Sequence, residues 1–193
     1  TATGTKDATT FLRGDNTFSA PSVGLTKLAS TTVSSAVANV EFDSTYISDY
    51  SVYFLTISKF SAATDGYDLD VAFYNGSTKI TLNHCHNWKN MGDGSQGIGL
   101  GGSSDNHHRV IQDGEASDDK TAGLVWIVLN NDKQTEGGGV YGFGSTLNQN
   151  GSYYGYDSES IFTADYLLNK IQILDGGGSN IDSGTFTLYG VTK

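Results

Sequence analysis

From Leu25 onward the chain reads as short apolar runs broken by turn clusters. Tyr67, Leu69, Val71 and Phe73 alternate with Asp68, Asp70, Ala72 and Tyr74, and residues 184–191, GTFTLYGV, alternate in the same way. A period of two marks strands with one core face and one mostly polar face. Residues 52–57 and 124–129 are apolar on both faces, which predicts central strands. Further strands are predicted over 26–33, 36–42, 78–84, 107–112, 139–146, 159–166 and 169–174. Turn signals separate them: Asp65/Gly66, Asn75/Gly76, Asp113/Gly114, Gly137/Gly138/Gly139, Asn150/Gly151 and Gly176/Gly177/Gly178. Within 164–174, Leu167, Leu168, Ile171 and Leu174 fit a helical stripe, but no cap precedes them and a glycine run follows, so the segment is assigned to strand. About ten short strands with no crossover helices predict an antiparallel all-β sandwich, in its commonest guise a jelly roll. The predicted core comprises Leu55, Ile57, Leu69, Val71, Phe73, Trp126, Val128, Phe186 and Leu188.

Residues 1–24 have a different texture. They are Thr, Gly, Ala, Ser and Asp with scattered Phe11, Leu12, Phe18 and Val23, and the only proline, Pro21, stands near their end. This predicts a short extended N-terminal arm ahead of a sandwich domain spanning 25–193. A length of 193 residues suits one such domain, and 20 Tyr and Phe residues together give a glycine-rich chain (25 Gly) something to bury.

Charge and composition narrow the function classes. The net charge of -10 argues against nucleic acid held on a basic face. The lone cysteine excludes an intrachain disulfide framework and a Cys-only metal cluster. No run of about 18 apolar residues predicts a membrane insertion, and the first ten residues carry no apolar signal-peptide core.

The candidate chemistry is sparse. Gly97, Gly99 and Gly102 match the letters of a dinucleotide fingerprint, but SSDNH follows rather than a helix, so the string reads as loop. Asp68 and Asp70 share a strand face; glycoside hydrolysis needs one carboxyl raised by burial, and on a solvated face the pair reads as polar decoration. Arg13, Gly14 and Asp15 read as a turn. His84 and His86 share a face with Ile80, Leu82 and Trp88 if the strand continues, which makes them core-edge histidines or a pair of metal ligands completed only by other subunits. Cys85 has no general base placed beside it and reads as a small buried side chain. Rings beside amides and carboxylates recur at Trp88, His107, His108, Tyr153, Tyr154 and Tyr156, with Asn87, Asn106 and Asp157 nearby. Placed in loops, such rings either stack on a sugar or seal the end of a sandwich. No cofactor is predicted.

Residues 3–21, TGTKDATTFLRGDNTFSAP, resemble a connector widespread in bacteriophage tail-fibre and other virion proteins, of the form TGTxxxTTFLRGDGTWxxP. Asn16 stands in place of Gly and Phe18 in place of Trp; Asn tolerates the turn conformation and Phe keeps an aromatic ring. LASTT at 28–32, YFLTIS at 53–58, ATDG at 63–66 and IDSGTFTLYGV at 181–191 resemble a β-sandwich module that often ends such proteins, while 85–160 is poorly matched.

The resemblance implies a non-enzymatic virion component that displays the sandwich at a fibre-like tip. It implies a homotrimer, the arm contacting other virion proteins and the sandwich contacting a host-surface glycan or protein. Its place would be the extracellular particle, after synthesis in the host cytoplasm. The competing readings are a capsid decoration or head fibre, a carbohydrate-binding module of a secreted bacterial protein, and a glycan depolymerase. The -10 charge favours a neutral or weakly charged glycan.

Overall fold

The computed structural model describes residues 3–5, 10–12, 14, 16–19, 24–47, 50–100, 106–114, 121–129, 135, 138–147 and 151–191. Arg13, Asp15, Pro21, Val23, Gly102, Gly137 and Asn150, singled out above, lie outside these residues. The described residues hold no helix and the following strands: β1 (Phe11–Leu12), β2 (Phe18–Ser19), β3 (Leu25–Val33), β4 (Asn39–Phe42), β5 (Val52–Ala62), β6 (Tyr67–Asn75), β7 (Thr78–Lys79), β8 (Leu82–Asn90), β9 (Gln96–Leu100), β10 (His108–Gly114), β11 (Thr121–Val128), β12 (Gly139–Leu147), β13 (Tyr153–Phe162), β14 (Lys170–Asp175) and β15 (Ile181–Val191).

Two antiparallel sheets pack face to face. The larger has the order β3-β15-β5-β11-β12-β13-β8-β9, the smaller β10-β6-β14-β4 with β7 paired to β6. Eight of these strands wind as a jelly roll. The first, β3, pairs with the last, β15, which pairs with β5, and β5 with β11; the second, β4, pairs with β14, which pairs with β6, and β6 with β10. Leu55 and Ile57 from β5, Leu69, Val71 and Phe73 from β6, Ile171 and Ile173 from β14, and Phe186 and Leu188 from β15 are all buried between the sheets. The bulge at Lys59, whose φ of 54° is left-handed, shifts the alternation of β5, so Phe60 points inward two positions after exposed Ser58.

Two hairpins are inserted into this frame, β8–β9 between β6 and β10, and β12–β13 between β11 and β14. They extend the larger sheet beyond β11 by four strands, and β10 packs across β8, β11, β12 and β13. The inserted strands lie almost wholly within 82–162, nearly the region that departs from the resembled module.

The arm is more structured than a single extended run. β1 and β2 pair with each other as a separate two-stranded sheet, and Thr3 bridges Thr17 alongside. Asn16 has a φ of 62°, the left-handed turn conformation expected where the connector pattern has Gly. Leu12 is half exposed and Phe18 partly so.

Several expectations need correction. Trp126 and Val128 are each 37% exposed rather than buried. Strict alternation along β11 turns Val125 and Ile127 to the core and Leu124, Trp126 and Val128 to the opposite face. β6 is buried on both faces, not one: Asp70, Ala72 and Tyr74 are covered by side chains from β10 and β14, including Lys170, whose Nζ lies 4.0 Å over the Tyr74 ring. Residues 163–169 form a connection, and the strand begins only at Lys170.

Leu69→Ala or Phe186→Ala is expected to cost about 2–5 kcal/mol in chemical denaturation. Ile161→Ala, at a side chain 60% exposed on the outer face, is expected to change monomer stability by less than about 0.5 kcal/mol.

Candidate functional site

The interior of the extension is polar. β13 lies beside β8 with Ser160 opposite His84, Ser158 opposite His86 and Tyr156 opposite Trp88, and β10 contributes His108 and Gln112 from the other sheet. His84, His86 and His108 are buried. The partners fix a direction for the hydrogen bonds. With Gln112 presenting its carbonyl oxygen, His86 Nε2 donates to Oε1 at 3.0 Å, so His86 Nδ1 accepts from His84 Nε2 at 3.3 Å. His84 Nδ1 then accepts from Ser160 Oγ at 3.0 Å, which in turn accepts from His108 Nδ1 at 2.8 Å, and His108 Nε2 accepts from Ser158 Oγ at 3.0 Å. In this arrangement each of the three imidazoles has one donating and one accepting nitrogen, and every ring nitrogen has a partner. Burial holds His86 below the usual histidine range; it holds His108 far below, reinforced by the imidazoles of His84, His107 and His86. The geometry is that of a packed polar layer with no nitrogen turned to a shared point, and among the described residues no group of three His, Cys, Asp or Glu is arranged to hold a metal ion.

Close approach of these rings demands glycine opposite them. A Cβ at Gly99 would fall 2.1 Å from His86, and one at Gly97 2.6 Å from the Trp88 indole. The G-x-G string is therefore an edge strand, β9, on which two rings lie, rather than the loop that its letters suggest.

The predicted contact rings separate. Trp88, Tyr154 and Tyr156 seal the end of the sandwich: Trp88 and Tyr154 have centroids 5.6 Å apart, Tyr154 and Tyr156 6.3 Å, and Tyr156 donates its hydroxyl to the Gln112 carbonyl. Tyr156 and His108 are buried, which removes both from the set of exposed rings. They lie on inward faces: Tyr156 because β13 begins at Tyr153 and not at 159, and His108 because the strand expected over 107–112 turns it to the interior. Trp88, Tyr154 and His107 are partly covered, and Tyr153 is 58% exposed.

The carboxylate pair also differs from expectation. Asp70 is fully buried and Asp68 is not. Burial pushes the Asp70 carboxyl up to about 7, against the pull of Arg109, with Asp68 and Asp175 adding to the rise. The asymmetry required of an acid/base pair is thus present. However, Arg109 reaches Asp68 Oδ2 at 2.8 Å through Nη2 and Asp70 Oδ1 at 3.3 Å through Nε. One guanidinium therefore bridges the two carboxylates where a scissile bond would have to enter. Asp70 Oδ2 lies 3.3 Å from His107 Nε2 and accepts no hydrogen bond among the described residues.

The outer face of the larger sheet carries an apolar field. Tyr189, Phe54, Trp126 and Tyr141 stand opposite one another across β15, β5, β11 and β12, with Phe54 and Trp126 centroids 4.5 Å apart. Leu124 and Phe143 form the next row, 41% and 54% exposed. At β13 the face turns polar with Asp157 and Glu159. Sequence reading missed this field because doubly apolar strands are usually covered on both sides. It also missed Ser158, Ser160 and Gln112. Their signal was the alternation Tyr156, Ser158, Ser160, Phe162, in which the small polar residues face inward.

Acid and base should act on stability in opposite directions. Asp70 in the folded chain keeps a proton that the unfolded chain releases near pH 4, so its contribution declines as pH rises from about 4 through about 7. His86 and His108 resist protonation in the folded chain, so stability is lost as pH falls below about 6.5 and the unfolded chain takes up protons. Asp70→Asn should therefore raise the melting temperature by several degrees at pH 8 and by much less at pH 4. Thermal melts across this range check it; a gain that does not grow with pH contradicts the assignment.

Compared with protein-family models, curated proteins and solved structures, the chain matches none.

Proposed function

We propose that this chain is a non-enzymatic structural component of a bacteriophage virion, a tail fibre or fibre-like appendage, that assembles as a homotrimer and contacts the host surface. One conjunction carries the reading: a connector-type string at 3–21 runs into a jelly roll whose outer face is an uncovered aromatic field. A chain of net charge -10 that leaves Phe54, Trp126, Tyr141 and Phe143 together on one uncharged face supports association through that face. The occupant we favour is a second copy of the chain, since three copies about an axis would cover the field and the arm's Leu12 and Phe18 alike. Against a depolymerase, Arg109 stands between Asp68 and Asp70, the pair among the described residues whose environments differ in the required way. A sugar-binding module of a secreted protein shares the sandwich but has no use for the connector.

Sedimentation should give three times the 20.5 kDa chain mass. Trp126→Glu with Phe143→Glu should yield a monomer that still melts cooperatively. A wild-type monomer at micromolar concentration rejects the trimer. Release of reducing sugar from host polysaccharide, abolished by Asp70→Ala, would reject the non-enzymatic reading.

A further inference from the structure

We propose that the groove at the β8–β9 edge of the larger sheet is a binding site for a neutral pyranose of a surface glycan. The proposal rests on the reading that this module contacts the host, and it names where and through what chemistry.

The groove has a volume of about 540 Å³ and is lined by Asn87, Trp88, Lys89, Gln96, Ile98 and Asp157, with the Gly97 backbone between them. That volume lies within the usual range for small-ligand sites, about 300–1,000 Å³. Its polar groups are arranged in advance. Asn87 Nδ2 donates to Asp157 Oδ2 at 2.7 Å across neighbouring strands, which holds both side chains still. The other carboxylate oxygen and the Asn87 carbonyl remain as adjacent acceptors. Lys89 and Gln96, opposite one another on β8 and β9, bring donors to the same groove. Acceptors beside donors suit vicinal hydroxyls, each of which gives and takes a hydrogen bond.

The apolar parts fit the same ligand. A pyranose has C–H faces that pack on rings and branched aliphatic groups. Ile98 is 70% exposed on an edge strand, on the same face as Asn87 and Lys89, where nothing in the fold requires it, and the Trp88 indole lies beneath it on the opposite face, across Gly97. Charge narrows the class. Lys89 offsets Asp157 within the groove, and the -10 of the chain repels an anionic sugar. Uronic and sialic acids are thereby disfavoured. The site adjoins the aromatic field at Asp157, which stands opposite Phe143, while Asn87, Lys89, Gln96 and Ile98 lie one and two strands further out, beyond the row that carries Trp126.

The chain has two tryptophans, Trp88 and Trp126. In a Trp126→Phe background the remaining indole, Trp88, lies across the Gly97 backbone that floors the groove, and its emission reports on that end of the sheet. Maltose, cellobiose, lactose and N,N′-diacetylchitobiose are titrated as probes. The expected result is a saturable change with at least one of them, insensitive to 0.5 M salt, because halving the Debye length from about 8 Å does not weaken the binding of an uncharged ligand. Asp157→Ala and Asn87→Ala should each weaken it about tenfold or more, with unchanged melting temperature. No saturable change with any probe, or binding that survives the double substitution, overturns the site. A sugar response carried by Trp126 in a Trp88→Phe chain overturns it too, yet leaves the surface-contact reading standing. Conversely, groove variants that lose sugar binding while the assembled particle adsorbs normally uphold the site and reject its role in host contact.

Discussion

Strand β15 runs between β3 and β5, and the rest of the sandwich depends on that placement. Its backbone is hydrogen-bonded on both sides to strands more than 100 residues earlier in the chain. Phe186 and Leu188 project from it into the centre of the core. These contacts repay the loop-closure entropy only once residues 181–191 are in place, so the jelly roll is a fold of non-local pairings. Once β3, β5 and β15 are joined, β11 is fixed beside β5 as the strand on which the extension is built.

β10 joins the two parts. One edge pairs with β6 and sets Arg109 against Asp68 and Asp70; its inward face supplies His108 and Gln112 to the imidazole layer. Where the extension closes over β10, glycines on β9 and β12 leave room for the side chains that face them. A Cβ at Gly142, for example, would meet both His108 and Ser158. Flat imidazoles need every nitrogen partnered in a dry interior, and the serines opposite them provide that.

The fold class was legible because its strands announce themselves by alternation and by turn residues, as at Tyr67–Asn75 and at Gly76, whose φ is 60°. Leu55, Ile57, Leu69, Val71, Phe73, Phe186 and Leu188 were readable as core for the same reason. Trp126 was not, since hydropathy says that a face is apolar and never what covers it. The candidate site was legible in part. Shared spacing linked His84, His86 and Trp88, but polar letters disguised most of β8 and β13 as loops, and so buried Tyr156 looked exposed; His108 begins a strand that was expected over 107–112, and its polar neighbours hid its inward face. The burial of Asp70 depends on Arg109 and the Gly176 turn, which are 39 and 106 positions away and leave no local trace.

Edge strand β9 has a consequence for how this surface can diversify. Gly97 and Gly99 face rings at distances that no side chain can share. Between and beside them, Gln96 and Ile98 point the other way and touch the open groove. Inherited change is thus confined to every second position: a substitution at 96 or 98 alters what the edge presents without touching the layer beneath, while one at 97 or 99 dislodges Trp88 or His86. The strand separates its sterically fixed and its free positions by the two-residue period alone, so the outward surface can change while the scaffold stays still.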